Sequence, residues 1–256
     1  MLNLVGMGLR GVLSLTLQED EVLRKSDKIY FESYTSIAPG NTINELETMY
    51  SKPVKPLERG DVENPAPLIK ESLEKTVSLI VVGDPLSATT HNELRFEAVK
   101  SGVIVKCYEN ASIITAAFGY TGLFTYRMSP PVSLPFPHER FFPRSVYDKI
   151  SKNMENKRHT LILLDLIPGK GMKVSEAVKY LLEMEKNYGS GLLTEERDLI
   201  AISDLGHQDE KIVTGTFREM ASYEGGKINC LILPESPTED EFRFMSTFCK
   251  KLSLDK

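Results

Sequence analysis

Leu79-Ile80-Val81-Val82-Gly83-Asp84-Pro85-Leu86-Ser87-Ala88-Thr89-Thr90-His91 is a short apolar, β-branched run followed at once by a loop dense in polar groups. A run of this kind is buried on both faces, as in a parallel sheet. Gly83 opens the loop, and Pro85, which has no N–H for a ladder, stops the strand. Thr90 and Glu93 have the spacing of a capping box, which predicts a helix from His91 through Leu94, Ala98 and Val99 to Ser101-Gly102. Ligands of open α/β sheets bind beyond the carboxyl ends of the strands, against helix N-termini. The loop places a carboxylate, three hydroxyls and an imidazole there, so it reads as part of a small-molecule site.

Outward from this unit, strand and helix signals alternate. Strands are expected at Leu2 to Val5, Lys28 to Glu32, Val54 to Leu57 and Val103 to Tyr108, with helices at Thr16 to Lys25, Thr42 to Tyr50 and Pro65 to Lys75. Alternation at this spacing means parallel βαβ units. The pattern breaks at Ser129 to Pro137, where four prolines in nine residues preclude a helix and a central strand, and a domain junction is expected nearby. Beyond it the expected elements are helices at Ser145 to Asn156, Ser175 to Tyr188 and Thr238 to Leu252. Strands are expected at Leu161 to Leu166, Leu199 to Ser203, Lys211 to Thr214 and Ile228 to Leu233. The close spacing of the strands near 200 and 212 suggests an antiparallel pair, hence a mixed second sheet. The α/β chain therefore divides into an N-terminal domain, 1–118, with a mostly parallel sheet and a C-terminal domain, 119–256, with a mixed one.

The composition, 256 residues with 41% hydrophobic and 26% charged, is that of a globular chain. No apolar run approaches the roughly 20 residues that span a bilayer. Met1-Leu2-Asn3-Leu4 leads into a strand rather than a signal peptide, so a cytoplasmic protein with no membrane association is expected. Cys107, Cys230 and Cys249 are widely spaced, odd in number and without neighbouring histidines; they fit reduced buried thiols better than disulfides or a metal site. The net charge of -5, with no basic cluster, argues against nucleic-acid binding.

Gly6-Met7-Gly8-Leu9-Arg10-Gly11 satisfies G-x-G-x-x-G after a strand, and Glu32 ends the second strand where a dinucleotide-binding fold puts its ribose acid. Taken alone this says NAD. In that fold, however, the helix begins within the glycine motif; here Thr16-Leu17-Gln18-Glu19 is a capping box that starts it five residues after Gly11. An NAD-dependent oxidoreductase is thus the remote alternative.

A larger set of segments carries a resemblance. Gly6-Met7-Gly8-Leu9, Phe31-Glu32-Ser33-Tyr34-Thr35-Ser36, Gly83 to His91 with Glu93-Leu94, Pro143 to Ile150, and His159 to Asp165 are similar to the diphthine synthases. That family belongs to the tetrapyrrole methylase superfamily of S-adenosylmethionine-dependent methyltransferases. The match runs in order over nearly the whole chain and loosens after about residue 205. The resemblance implies two α/β/α domains with the cofactor in the cleft between them, and a homodimer. It implies methylation of the amino group of a 3-amino-3-carboxypropyl-histidine on translation elongation factor 2. Three transfers would give diphthine, with S-adenosylhomocysteine as co-product. Cofactor contacts carry over onto Leu9, Asp84, Ser87, Ser112, Ile113, Leu164, Leu205 and Asn229. At Asn229 many members have histidine. A relative that methylates a corrinoid precursor or another small molecule is the alternative, disfavoured for a polycarboxylate tetrapyrrole because the motifs hold no strong basic pocket.

The chemistry of the residues agrees. A sulfonium cofactor needs apolar walls, backbone hydrogen-bonding groups and one or two carboxylates. Leu9, Ile113, Leu164 and Leu205 suit walls. Asp84 could accept from the cofactor or cap its own loop as an Asx-turn, and Ser112 could contact the cofactor or merely cap the helix it precedes. Methyl transfer to an amine requires placement more than a base. Tyr34, His91 and Asp165 are weak candidates for orienting the amine, with His91 expected to face solvent or the domain interface and Asp165 equally a structural acceptor. Tyr34, Tyr120 and Tyr126 could offer a ring face to a trimethylammonium group. No metal site is expected.

Overall fold

The computed structural model describes residues 1–32, 34–137, 143–167, 170–189 and 191–252; Ser33 of the quoted motif lies outside them. The chain divides into two units, Met1–Ile113 and Ile114–Lys256.

The first unit runs β1 (Leu2–Gly6), α1 (Leu17–Lys25), β2 (Lys28–Glu32), α2 (Thr42–Tyr50), β3 (Val54–Leu57), α3 (Arg59–Glu63), α4 (Ala66–Glu74), β4 (Val77–Val81), α5 (His91–Lys100) and β5 (Val105–Tyr108). Its sheet has the order β3-β2-β4-β1-β5, and every neighbouring pair is parallel. The period of two along the strands builds three layers. Leu2 and Leu4 of β1 and Val77, Leu79 and Val81 of β4 face one side, with Leu68 and Ile69 of α4 and Leu94 and Ala98 of α5. Val5 and Ile80 face the other, with Leu23 of α1 and Leu46 and Tyr50 of α2. The capping box at Thr16 forms as expected, with Glu19 N donating to Thr16 Oγ1 and Glu19 Oε2 accepting from Thr16 N.

The second unit holds α6 (Ile113–Thr121), which begins at the last residue of the first, then β6 (Val132–Leu134), α7 (Arg144–Glu155), β7 (Thr160–Leu164), β8 (Leu166–Ile167), β9 (Lys170–Gly171) and α8 (Val174–Tyr188). It continues with β10 (Asp198–Ser203), β11 (Lys211–Thr216), α9 (Phe217–Met220), β12 (Asn229–Leu233), α10 (Glu239–Phe248) and β13 (Lys250–Lys251). Its main sheet, β13-β11-β10-β12-β7-β6, is mixed: β10 is antiparallel to β11 and β12, and β7 is parallel to β6. Leu199, Ala201 and Leu231 pack with Ile150 of α7, Leu181 of α8 and Phe217 of α9. Ile200, Ile202 and Ile232 point the other way and are equally buried.

Five expectations change. The proline-rich stretch lies inside the second unit, where Val132–Leu134 forms an edge strand, a sheet position that tolerates prolines. The last helix ends at Phe248 rather than Leu252, because Lys250 and Lys251 pair with Val213 and Thr214. A short helix at Arg59–Glu63, closed by Glu58 and Asp61, was not expected. Helix α5 starts at His91, but Thr90 has φ -94 and ψ 5, outside the extended geometry of a cap, and its side chain caps nothing. The three cysteines are free; Cys230 and Cys249 are buried, whereas Cys107, expected to be buried, is only half-buried.

Candidate active site

Strands β1 and β4 lie side by side at the middle of the parallel sheet, and the chain leaves them in opposite directions: from β1 to β2, from β4 to β5. The carboxyl ends of such a pair form a topological switch point, where open α/β sheets bind ligands. The loops that emerge there are Met7–Leu9 and the Gly83–Thr90 segment.

The two loops are tied together by their glycines. Gly8 N donates to Gly83 O at 3.0 Å and Gly83 N to Gly8 O at 2.8 Å, a bridge outside the regular strands. A Cβ on Gly6 would stand 2.8 Å from Gly83 O and 2.9 Å from Pro85 Cδ. Gly6 is therefore needed for the approach of one loop to the other, whereas a Cβ on Gly8, which has φ +64, would meet Asn110 Oδ1 at 2.7 Å and Ser14 Cβ at 2.8 Å. Leu9, next in line, is half-buried.

Asp84 forms the Asx-turn: Oδ1 accepts from Leu86 N at 2.9 Å and from Ser87 Oγ at 2.8 Å, while Oδ2 accepts a longer bond from Asn110 N at 3.3 Å. Each carboxylate oxygen has two acceptor positions, so Oδ2 keeps capacity for a hydroxyl or ammonium donor. Ser87 spends its proton on Asp84 and keeps its lone pairs. Ser112 and Ile113 follow β5, at the same sheet end, and α6 starts at Ile113.

Asn110, which the sequence reading did not single out, joins the parts. Its Nδ2 lies 3.3 Å from Gly6 O, 3.0 Å from Ser14 O and 3.0 Å from Glu19 Oε2. Glu19 is buried, and burial pushes its carboxyl up against the opposing hydrogen bonds from Thr16 and Asn110. The available signal was an Asn just past an apolar strand at the sheet end that already held the site.

His91 corrects its expectation. It is fully buried, with Nε2 2.6 Å from Glu32 Oε2 and Nδ1 2.9 Å from Pro85 O. Glu32 is likewise buried; its other oxygen accepts from Thr35 N at 3.0 Å and from the Thr35 hydroxyl. The position suited to a ribose acid is thus turned inward. Tyr34 is half-buried with the Arg59 guanidinium over its ring, 5.7 Å from the centroid, so one face already has a cation. Burial pushes the Tyr34 hydroxyl up to about 12, which removes it as a base near neutrality. Tyr120 and Tyr126 are exposed, and Tyr126 stacks on Phe124.

In the second unit, Leu164 ends β7 and packs partly against the core, and Leu205 is buried. Asp165 serves as a structural acceptor, Oδ2 from Phe136 N and Oδ1 from Leu166 N, both at 2.9 Å. Asn229 is saturated: Oδ1 accepts from Ser203 Oγ at 2.7 Å and Gly226 N at 2.8 Å, and Nδ2 donates to Met172 O and Gly226 O. Only its main chain is left for a ligand. Among the described residues no cluster of His, Cys, Asp and Glu could hold a metal ion, and no helix is long and apolar enough to cross a membrane.

Comparison with known proteins agrees with this architecture. Residues 1–221 match the family model of tetrapyrrole (corrin/porphyrin) methylases. The chain is 41% identical to the diphthine synthase of Thermoplasma acidophilum, over 99% of this chain and 97% of that one. It is 35% identical to that of Methanocaldococcus jannaschii, over 91% and 93%. An Arabidopsis thaliana relative, named "Probable diphthine methyl ester synthase", is 34% identical over 94% and 96%. A crystal structure of a diphthine synthase superposes with a TM-score of 0.88 at 29% identity, covering 98% and 96%. The chain belongs to the tetrapyrrole (corrin/porphyrin) methylase family and, within it, to the diphthine synthases.

Proposed function

We propose that this chain methylates, from S-adenosylmethionine, the amino group of the 3-amino-3-carboxypropyl-histidine of translation elongation factor 2, three times, to give diphthine. The observation that carries this is full-length similarity to diphthine synthases together with a switch-point site built from the same segments that resemble them. The proposed cofactor contacts are Leu9, Asp84, Ser87, Ser112, Ile113, Leu164, Leu205 and the main chain at Asn229. The donor set fits: Asp84 Oδ2 retains an acceptor position for a ribose hydroxyl or an ammonium, and Leu9, on the loop bridged to it through Gly8 and Gly83, is half-buried and apolar. We further propose that the enzyme acts in the cytoplasm as a homodimer, which light scattering checks.

S-adenosylmethionine supplies an electrophilic methyl group on a sulfonium. The protein's task is to hold the amine in line with the methyl–sulfur bond and to exclude competing water. An α-amino group titrates near 8, so a fair fraction is already neutral and solvent can take its proton; no residue is assigned as a base. Asp84, Glu19 and Glu32 all accept from internal donors, in keeping with a placing role.

Thermal-shift titration tests the cofactor. At 100 times Kd a ligand adds roughly 2.7 kcal/mol, which raises the midpoint by several degrees. S-adenosylhomocysteine should do so and NAD(H) should not; the reverse refutes the proposal. Label from S-adenosylmethionine should pass to elongation factor 2 bearing the aminocarboxypropyl-histidine and not to the unmodified factor. Transfer to a corrinoid precursor instead would establish the small-molecule alternative. The product should carry three methyl groups stable to mild alkali, whereas an alkali-labile methyl would indicate an ester.

A further inference from the structure

Beneath the Gly83–Thr90 loop, wholly inside the first unit, lie an imidazole and a carboxylate that the reaction does not consume. The His91 and Glu32 side chains are both 0% exposed, and their Nε2 and Oε2 atoms stand 2.6 Å apart. The oxygen lies off the ring N–H axis, so this is a close polar contact rather than an aligned hydrogen bond. Across the ring, Nδ1 is 2.9 Å from Pro85 O and 2.7 Å from Thr89 Oγ1.

A carbonyl and an ionised carboxylate can only accept. At Nδ1 the ring can donate to Pro85 O or accept from the Thr89 hydroxyl, and at Nε2 it faces Glu32 Oε2. In either role it links the end of β2, where Glu32 is braced by Thr35, to the turn that holds Pro85. Pro85 sits between Asp84 and Leu86, the two ends of the Asx-turn bond.

We propose that His91 is a positioning residue: anchored on Glu32, it fixes the Pro85 carbonyl and so holds the turn that presents Asp84 and Ser87 to the cofactor. This rests on the methyltransferase reading above. A histidine that merely filled space would affect folding alone; one that sets the turn changes cofactor affinity in protein that is already folded.

The test is the Kd for S-adenosylhomocysteine by isothermal titration calorimetry, with KM for S-adenosylmethionine and kcat alongside. Loss of the link between Glu32 and the turn should weaken binding about tenfold in His91→Phe and Glu32→Ala. KM should rise with Kd while kcat at saturating cofactor is largely kept. Glu32→Gln should recover affinity relative to Glu32→Ala. Its amide N–H can donate to Nε2, leaving the ring one proton for Pro85. If His91→Phe does not fold, His91→Gln gives the same comparison. Wild-type affinity in the His91 and Glu32→Ala variants, or equal weakness of Glu32→Gln and Glu32→Ala, overturns the inference. A wild-type chain that does not bind S-adenosylhomocysteine at all overturns the methyltransferase reading, and this inference with it.

Discussion

Glu241→Gln should unmake the second unit's buried ion network and show it as a pH-dependent loss of stability. Glu241 is fully buried at the start of α10. Oε1 accepts from Phe124 N at 3.0 Å and lies 2.9 Å from His159 Nε2, while Oε2 caps Thr238 N and meets the Arg127 guanidinium. Burial alone would raise this carboxyl. Hydrogen bonds from the Thr238 and Phe124 N–H groups and from His159 outweigh it and bring the pKa from 4.5 down to about 2. That difference corresponds to about 3 kcal/mol at neutral pH. Removing one partner of a buried pair costs about 3–5 kcal/mol. Arg127 is 19% exposed and can turn to water, which favours the lower figure. A glutamine keeps an acceptor for Phe124 and His159 but turns an N–H toward Arg127, so the loss is electrostatic rather than steric. A carboxyl depressed in the fold stabilises above its unfolded pKa and loses that contribution as pH falls through the folded value. The gap between wild type and variant should thus be full at pH 7, begin to close below about 4.5 and be more than half gone by about pH 3. Urea unfolding followed by circular dichroism at pH 7 and pH 3 measures it. A gap under about 1 kcal/mol at pH 7, or one that does not narrow in acid, would refute the argument.

Two further outcomes concern the first unit. Gly6→Ala drives a methyl against Gly83 O, Pro85 Cδ and Asn110 Cβ, at 2.8, 2.9 and 3.0 Å, and should cost about 1–3 kcal/mol. Gly60→Ala, with nothing within 4 Å, is the control, and equal midpoints for the two in a thermal scan would sink the loop-contact account. Asn110→Leu removes the donor that Glu19 shares with Gly6 and Ser14 and leaves a buried carboxylate short of partners; a loss of about 3 kcal/mol in urea is expected, and a neutral result would mean that Thr16 suffices for Glu19.

The elements were legible where chemistry is local. Thr16 with Glu19, and the continuous apolar run that begins at Leu79, act within a few residues, and the structure follows them. Apart from the box at Thr90, whose backbone is not extended and whose side chain caps nothing, what escaped depends on partners distant in sequence. Nothing around His91 signals burial, because the residue that makes burial tolerable is Glu32, on another strand. Asn110 shows only one of its neighbours in sequence; Gly6, Ser14 and Glu19 come to it through the parallel sheet. The last helix was overextended because the β11 edge that captures Lys250 and Lys251 is a tertiary feature.

The glycine motif shows how a correct spacing can carry an incorrect mechanism. In a dinucleotide fold such glycines let a pyrophosphate approach a helix N-terminus, and an acid at the end of the second strand takes the ribose. Here the same spacing lets Gly6 and Gly8 approach Gly83 and Pro85, and the helix begins only after Thr16. The acid at the second strand end, Glu32, is held by Thr35 and His91 and has no exposed surface to offer a ribose. Both halves of the signature are therefore spent inside the protein, one on bringing two loops together and the other on bracing the histidine beneath them. With these residues so engaged, Asp84 Oδ2 is a carboxylate oxygen at that end of the sheet that keeps an acceptor position, which suits Asp84 to the proposed cofactor contact.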